Sequence, residues 1–312
     1  MTSPTISLVI ATYNWPSALD VILKSVRAQT SMPLEVLVAD DGSRDETREV
    51  VQAHQRDFPT RLVHIWHEDT GFRLGAIRNR AMAEARGEYL VQIDGDIVLH
   101  PRFIAAHASF AKRGTYAQGS RCLLSEALTQ QVLTEGRAEI SLLERGLRNR
   151  QNAFYLPWLT PLVGGPTDPD RATRGCHMAF WRDDIVAANG YDEAIHGWGR
   201  EDSELAARLI NRGLTRRNFK FSAIAFHLWH RERGRDAFDR NHAIYEETVR
   251  SGRTRCDVGI AQYLNGGRSD AAHGGESHGG ESHGGESHRS VASGAANGDA
   301  PPESTADGRH AP

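Results

Sequence analysis

The sequence predicts an α/β protein whose mostly parallel central sheet is covered by helices on both faces. Three observations lead to this class. Short apolar runs alternate with stretches of helical periodicity through the first 120 residues. Each stretch between two runs is long enough to hold a crossover helix, which parallel neighbours require. Polar or acidic clusters follow the apolar runs, as expected at the carboxyl ends of strands in such a sheet.

The first half of the chain supplies four predicted strands and three predicted helices. The first helix starts near Pro16, a residue favoured in a first helical turn, and continues with apolar residues at i, i+3, i+4 and i+7. Ser43 and Glu46 have capping-box spacing, which predicts the start of the second helix. Gly87 is predicted to close the third helix. The four strands are predicted at residues 6–11, 34–39, 62–66 and 89–93.

The second half is less regular. A Pro/Gly-rich segment, 157–169, is long enough to form a substrate loop or lid. Phe219, Phe221 and Ala223 alternate with polar residues, which predicts a half-buried strand. The other elements are predicted as helical structure over 123–150, a strand at 178–181, helices closed by Gly190 and Gly213, a turn at Gly197-Trp198-Gly199, and a last helix near 237–249.

From about Gly266 the chain changes composition. A Gly-Gly-Glu-Ser-His unit repeats three times, and the remainder is rich in Ala, Gly, Ser and Pro. Such a segment cannot bury enough apolar area to offset its ordering entropy, so residues 266–312 are predicted to be a disordered tail. Weak transition-metal binding by its imidazoles is the alternative. The rest of the chain is predicted to divide into residues 1–122 and 123–255.

Composition argues against several classes of protein. The 312-residue chain has 37 basic and 40 acidic residues and a net charge of −3, which argues against a nucleic-acid partner. Its three cysteines are too few for a disulfide framework and indicate a reducing, cytoplasmic location. No apolar run approaches the ~20 residues of a membrane span. We therefore expect a soluble protein, or one that is at most peripheral at a membrane.

Asp94-Gly95-Asp96 is the most informative short motif. It follows an apolar run that reads as a buried strand. Two carboxylates one residue apart at a strand's carboxyl end suit Mg²⁺ or Mn²⁺ carrying a phosphate-bearing substrate. Acidic turns follow many strands, so an ordinary turn is the alternative. Three further clusters, Thr12–Asn14, Asp40–Ser43 and Arg73–Asn79, are expected to meet the motif in one crevice.

Two groups of motifs make the family recognisable. Ser7-Leu8-Val9-Ile10-Ala11-Thr12-Tyr13-Asn14, Asp40-Asp41-Gly42-Ser43 and Asp94-Gly95-Asp96 resemble the nucleotide-sugar half of glycosyltransferase family 2. That resemblance implies a GT-A, Rossmann-like fold and inversion at the anomeric carbon. Gly175–Phe180, Asn189–Glu193 and Gly197-Trp198-Gly199-Arg200-Glu201-Asp202 resemble the galactosyltransferase-type region of chondroitin polymerases and β-1,4-galactosyltransferases.

The resemblance implies a role for each matched position. Residues 1–122 would bind the nucleotide sugar, and residues 123–255 would bind the acceptor and carry out catalysis. Asp202 would be the catalytic base, and His230 would bind Mn²⁺ or Mg²⁺ with Asp96, with His227 as a second candidate ligand. The other implied contacts are Asp41 on the uracil edge beside Thr12, Tyr13 and Asn14, Asp94 on the ribose or the metal's water shell, Arg78 on the diphosphate, and Trp198, Gly199 and Glu201 on the acceptor.

Physical arguments support some of these roles independently. Asp202 shares a helical face with Leu205, Ala206 and Leu209, so it points with the buried stripe from a first helical turn that favours its ionised form. A simple dipole-complementing acidic turn is the alternative, and it suits Glu201 better. His227 and His230 close a predicted strand, so they are either core histidines or ligands in a mixed oxygen and nitrogen site that suits Mn²⁺.

The sequence therefore predicts a metal-dependent inverting glycosyltransferase that moves a hexose or N-acetylhexosamine from a UDP-sugar to a hydroxyl of a glycan or glycolipid acceptor. Two alternatives stay open. A sugar-1-phosphate nucleotidyltransferase would need a Gly-rich phosphate loop after the first strand, and Thr12-Tyr13-Asn14-Trp15 has none. A non-catalytic sugar- or metal-binding protein would depend on the histidine-rich tail.

Overall fold

The computed structural model describes residues 3–163, 173–231 and 236–264. Its main sheet has seven strands in the order β10-β6-β9-β4-β1-β2-β3. All of them run parallel except β9, which is antiparallel to both of its neighbours. The strands are β1 (Ile6–Thr12), β2 (Glu35–Asp40), β3 (Arg61–Trp66), β4 (Tyr89–Asp94), β6 (Thr115–Gln118), β9 (His177–Trp181) and β10 (Thr215–Asn218). The prediction of a mostly parallel sheet is confirmed.

A second, smaller sheet was not predicted. Its four strands lie in the order β5-β11-β7-β8, with β11 antiparallel to β5 and parallel to β7. β5 begins directly after the Asp94–Asp96 turn, so the smaller sheet starts next to the end of β4. Its strands are β5 (Ile97–Leu99), β7 (Cys122–Leu124), β8 (Leu147–Arg148) and β11 (Ala225–His227).

Helices cover both faces of the main sheet. Successive β1 side chains enter opposite cores: Leu8 packs in a cluster with α1, and Val9 in a cluster with α3 and α8. This continuous burial is what a strand covered on both sides requires. The helices are α1 (Pro16–Arg27), α2 (Asp45–Gln55), α3 (Leu74–Glu84), α4 (Phe103–Phe110), α5 (Glu126–Glu135), α6 (Thr160–Val163), α7 (Arg182–Ala188), α8 (Glu201–Asn211), α9 (Phe238–Ser251) and α10 (Ala261–Leu264).

Several local predictions are wrong. Ser43 does not cap α2, which begins at Asp45, because its hydroxyl accepts a hydrogen bond from the backbone of Asn14 instead. Gly87 does not close α3, which ends at Glu84, because Gly87 lies against the backbone of Ser7. Residues 123–150 are not continuously helical, since α5 ends at Glu135 and the short strand β8 follows at Leu147–Arg148.

The strand predicted at 219–223 is also wrong. The strand is β10, which ends at Asn218, and the backbone then adopts a left-handed conformation at Phe221 and Ala223. Phe219 and Ala223 are buried by the irregular path of this loop and not by strand alternation, and Phe221 is half-buried.

Some predictions fall partly outside the described residues. The segment 157–169 contains a 3₁₀ turn at Pro157–Leu159 and helix α6, and its remainder lies outside them, as does the histidine-rich tail. The described residues belong to one compact unit, Met1–Ala271, so the division at residue 122 stays a prediction. Within the part of the chain that is described, no helix has the length and apolarity needed to cross a membrane.

Candidate active site

The Asp94–Asp96 turn lies directly against the end of β1. A Cβ at Gly95 would meet the carbonyl oxygen of Ala11 at 2.6 Å, so the turn needs glycine at its centre. Ala11 and Asp94 are register partners in the sheet. The close approach places the two carboxylates at the edge where the polar residues after β1 and β2 also lie, as the sequence predicted.

Asp96 lies beside two histidines. Its Oδ2 is 3.1 Å from His230 Nε2 and 3.4 Å from His227 Nε2, and one ligand atom from each of the three residues falls within 4.8 Å of the others. The pairing of β5 with β11 brings them together, since His227 is opposite Ile97 and the amide of Leu228 donates to the carbonyl of Asp96 at 2.9 Å. We call Asp96, His227 and His230 the Asp–His triad.

The triad fits a divalent cation. The Oδ1 atom of Asp96 is buried and accepts no hydrogen bond from the described residues, so it has a lone pair available for a ligand. His230 Nδ1 lies 2.9 Å from the carbonyl of Arg231, and a proton held there would leave Nε2 available for a metal in place of the hydrogen bond that Nε2 donates to Asp96. The side chain of His230 is 40% exposed, which argues against a core histidine. One carboxylate and two imidazoles suit Mn²⁺ better than Ca²⁺.

Electrostatics favour the metal-binding protonation states of Asp96 and His227. Burial would raise the pKa of Asp96, but the hydrogen bond from His230 and the nearby charges outweigh burial, and the pKa is lowered. Burial lowers the pKa of His227, which favours the neutral imidazole that binds metals.

Arg78 connects the two halves of the crevice. Its guanidinium donates to Asp94 Oδ1 at 2.6 Å and to Asp202 Oδ1 at 3.0 Å, and its side chain is only 1% exposed. It lies over the ring of Tyr191, 5.2 Å from the centroid. The diphosphate contact expected of Arg78 from the sequence stays a prediction, and in the structure both of its ion pairs are with carboxylates. This geometry favours a positioning role for Arg78.

Asp202 lies in the first turn of α8, as predicted. Arg78 donates to its Oδ1, and the hydroxyl of Tyr191 lies 3.0 Å from the same oxygen and 2.8 Å from Gln92 Oε1, so its single proton is shared between these two acceptors. No described residue donates to Oδ2. A Cβ at Gly175 would lie 1.8 Å from that Oδ2 atom, so the carboxylate approaches the backbone where only glycine fits.

Glu201 is more deeply buried than the sequence suggested. It is 9% exposed, and its carboxylate accepts from the amide of Gly199 at 3.1 Å. Burial, assisted by the charge of Asp202, raises the pKa of Glu201 to about 7. Its neighbour Trp198 lies between two glycines with positive φ angles, is 38% exposed, and stacks on Phe238.

The predicted nucleotide contacts lie at the ends of β1 and β2. The carboxylate of Asp41 is buried and accepts from His67 Nε2 at 2.7 Å and from the amide of Arg73 at 3.1 Å. Asn14 has a positive φ and accepts from the amide of Arg44. The Thr12 hydroxyl is buried and has no partner among the described residues.

A pocket of about 420 Å³ joins the nucleotide side to the turn at Trp198. Tyr13 and Asp41 line it together with Trp198, so residues predicted for donor and acceptor share one cavity. Asp69 and Phe72, which were not predicted, also line it, and Asp69 accepts from the Tyr13 hydroxyl at 2.9 Å. Both follow β3, and the rule that ligands bind at strand ends would have found them.

Comparisons with known proteins agree with this architecture. Residues 7–163 match the family model described as "Glycosyl transferase family 2", and residues 165–231 match the one described as "N-terminal domain of galactosyltransferase". Validoxylamine A glucosyltransferase of Streptomyces hygroscopicus subsp. limoneus is 30% identical over 68% of this chain and 49% of its own length. Chondroitin synthase of Escherichia coli is 26% identical over 71% of this chain and 34% of its own length.

The fold also matches solved structures. A crystal structure of GalNAc-T7 with UDP, GalNAc and Mn²⁺ superposes with a TM-score of 0.58 at 16% identity, over 84% of this chain and 53% of that one. The chain spans about half of the length of the curated relatives it matches, or less. The chain belongs to glycosyltransferase family 2, with the GT-A fold.

Proposed function

We propose that this protein is a metal-dependent inverting glycosyltransferase that transfers a hexose or N-acetylhexosamine from a UDP-sugar to a hydroxyl of a glycan or glycolipid. One observation carries the proposal: a candidate metal site and a candidate base lie along the same crevice. Arg78 links Asp202 to Asp94, which is two residues from Asp96 of the Asp–His triad. Inverting transfer needs a base and a stabilised leaving group on opposite sides of one anomeric carbon.

Asp202 is the proposed base. Arg78 and Tyr191 hold its Oδ1, and this leaves Oδ2 to take the proton from the acceptor hydroxyl as that hydroxyl attacks. Two fixed contacts on one oxygen orient the carboxylate before the acceptor arrives, which lowers the entropy lost on reaching the transition state. A positioned general base contributes about 10²- to 10⁴-fold to rate.

The Asp–His triad is the proposed site for Mn²⁺ or Mg²⁺. When bound, such an ion would supply electrostatic stabilisation of the leaving diphosphate. Asp96 offers an Oδ1 atom that has no partner in the described part of the chain, and the two histidines offer Nε2 atoms. The GalNAc-T7 structure with UDP and Mn²⁺ supports the same general chemistry for this fold.

The pocket lined by Tyr13, Asp41 and Trp198 is the proposed site of the nucleoside. Asp41 provides a polar group for the base and Trp198 provides an aromatic face, and the Thr12 hydroxyl, which has no partner among the described residues, precedes Tyr13 at the end of β1. Its volume of about 420 Å³ suits part of a nucleotide sugar. Gly199 and Glu201, which follow Trp198 in the chain, then place the acceptor beside Asp202.

A donor panel tests the function. UDP release would be measured for a set of UDP-sugars with Mn²⁺, with and without candidate glycan acceptors, and Asp202→Asn should lower turnover by about 10²- to 10⁴-fold while leaving UDP affinity unchanged. Asp183→Asn is the matched control, because Asp183 also lies in the first turn of a helix but is 82% exposed and distant from the triad. Normal turnover of Asp202→Asn would contradict the base assignment, and no release from any donor would contradict the function.

A further inference from the structure

We infer that Arg121, which the sequence did not single out, is the cation that binds the diphosphate of the donor. This inference rests on the proposed function. Arg121 lies just before β7, whose neighbour β11 carries His227 of the Asp–His triad. Its positive charge acts on both Asp96 and His227, which places the guanidinium beside the candidate metal site.

Arg121 is not neutralised by a carboxylate in the described part of the chain. The guanidinium donates from Nη1 to the sulfur of Cys176, and its buried Nε has no partner among the described residues. Burial raises the pKa of the Cys176 thiol to about 12, so this contact is with a neutral group. Four other arginines also have a buried Nε without a partner among the described residues, but Arg121 combines this with a position beside the Asp–His triad and no described carboxylate partner, which leaves its charge for an anionic ligand.

The contact with Cys176 places Arg121 beside the Asp94–Asp96 turn. The carbonyl of Cys176 accepts from the amide of Asp94 at 3.2 Å, and the preceding residue, Gly175, abuts the carboxylate of Asp202. Arg121 therefore lies next to the turn that carries Asp94 and Asp96, where the metal would hold the diphosphate. Arg78, the arginine that the sequence predicted for this role, already pairs with two carboxylates. A planar guanidinium matches phosphate oxygens with two parallel hydrogen bonds.

The test separates the phosphate contribution from nucleoside binding. Dissociation constants of UDP and of uridine would be measured by calorimetry with saturating Mn²⁺, and their ratio reports what the diphosphate adds. Arg121→Gln should weaken UDP by about 10- to 100-fold and leave uridine unchanged. Arg121→Lys keeps the positive charge but lacks the planar guanidinium, so its affinity for UDP should lie between those of Arg121→Gln and wild type.

Two controls make the result specific. Arg113→Gln changes another arginine, one that is 58% exposed and pairs with Asp183 away from the crevice, and it should bind UDP like wild type. Mn²⁺ affinity without nucleotide should be equal or tighter in Arg121→Gln, because a cation beside Asp96 has been removed, whereas a merely structural role would weaken it. Thermal melting would establish that each variant is folded. If Arg121→Gln does not fold, the ratio of UDP to uridine affinity in Arg121→Lys tests the assignment of Arg121.

The outcomes distinguish this inference from the proposed function. If wild type binds UDP more tightly than uridine and the arginine variants keep that ratio, the assignment of Arg121 is overturned and the function stands. If wild type itself binds UDP no better than uridine in the presence of Mn²⁺, the proposed UDP-sugar donor is overturned and the inference about Arg121 falls with it.

Discussion

Replacing Gly175 with alanine should inactivate the enzyme without unfolding it. The new Cβ would lie 1.8 Å from Asp202 Oδ2 and 2.0 Å from its Cγ, whereas ordinary Cβ contacts begin at 3.4 Å. The carboxylate must therefore retreat by about 1.6 Å, which breaks its alignment with Arg78 and Tyr191. A displacement of about 1 Å in a catalytic site can reduce the rate by about 10²-fold. We expect turnover of Gly175→Ala to fall by about 10²- to 10³-fold.

The assay would compare turnover, UDP affinity and melting temperature. UDP affinity with Mn²⁺ should change little, because the substitution is aimed at Asp202 and not at the Asp–His triad. Gly213→Ala is the control for backbone strain, since Gly213 has a φ of +87° and nothing near its missing side chain, so it should lose stability but not activity. Turnover within about threefold of wild type in Gly175→Ala would refute the catalytic position of Asp202.

Three further predictions test other parts of the site. Asp96→Ala should abolish the Mn²⁺ dependence of UDP binding, measured by calorimetry with and without EDTA, and an unchanged dependence would exclude the triad. Burial raises the pKa of Glu201 in the folded state to about 7, so its ionisation opposes folding between about pH 4.5 and 7.5. The free energy of unfolding of Glu201→Gln should therefore rise relative to that of wild type by about 1–3 kcal/mol over this range. Parallel curves of unfolding free energy against pH for the two proteins would contradict the burial of Glu201. Trp198→Ala should raise the KM for the donor about 2- to 10-fold, because Trp198 lines the pocket shared with Tyr13 and Asp41, whereas a change confined to the acceptor KM would refute that placement.

The order of strands and helices in the first half could be predicted because the evidence is local. Apolar runs and helical stripes specify β1 to β4 and α1 to α3 within a few residues. The start of α1 at Pro16 was also predicted, whereas the start of α2 and the end of α3 depend on distant contacts and could not be predicted. Ser43 has the spacing of a capping residue, but its hydroxyl accepts a hydrogen bond from the amide of Asn14, which is 29 residues away.

The second half was harder because its elements are short and its pairing is non-local. The three-residue strands β5, β7 and β11 are too short to show a period in the sequence, and only their mutual pairing makes them strands. The same pairing assembles the Asp–His triad from residues more than 130 positions apart. The sequence indicated that these residues could bind a metal, but it could not predict how far apart they lie.

The partners of the charged side chains in the site could not be predicted from the sequence either. Arg78 and Arg121 are both arginines near acidic motifs, and only the structure shows that Arg78 pairs with Asp94 and Asp202 while Arg121 contacts a thiol. Burial of Glu201 was similarly hidden, because α9 packs over the start of α8 and Asn241 of α9 donates to the carbonyl of Gly199.

Crystals grown with UDP and Mn²⁺, measured at the manganese absorption edge, test the central claim most directly. We predict an anomalous peak within bonding distance of Asp96 and of His230 or His227, with the diphosphate next to the ion and Asp202 on the same side of the molecule. A manganese peak at any other group, with Asp96 and both histidines free of metal, would contradict the account.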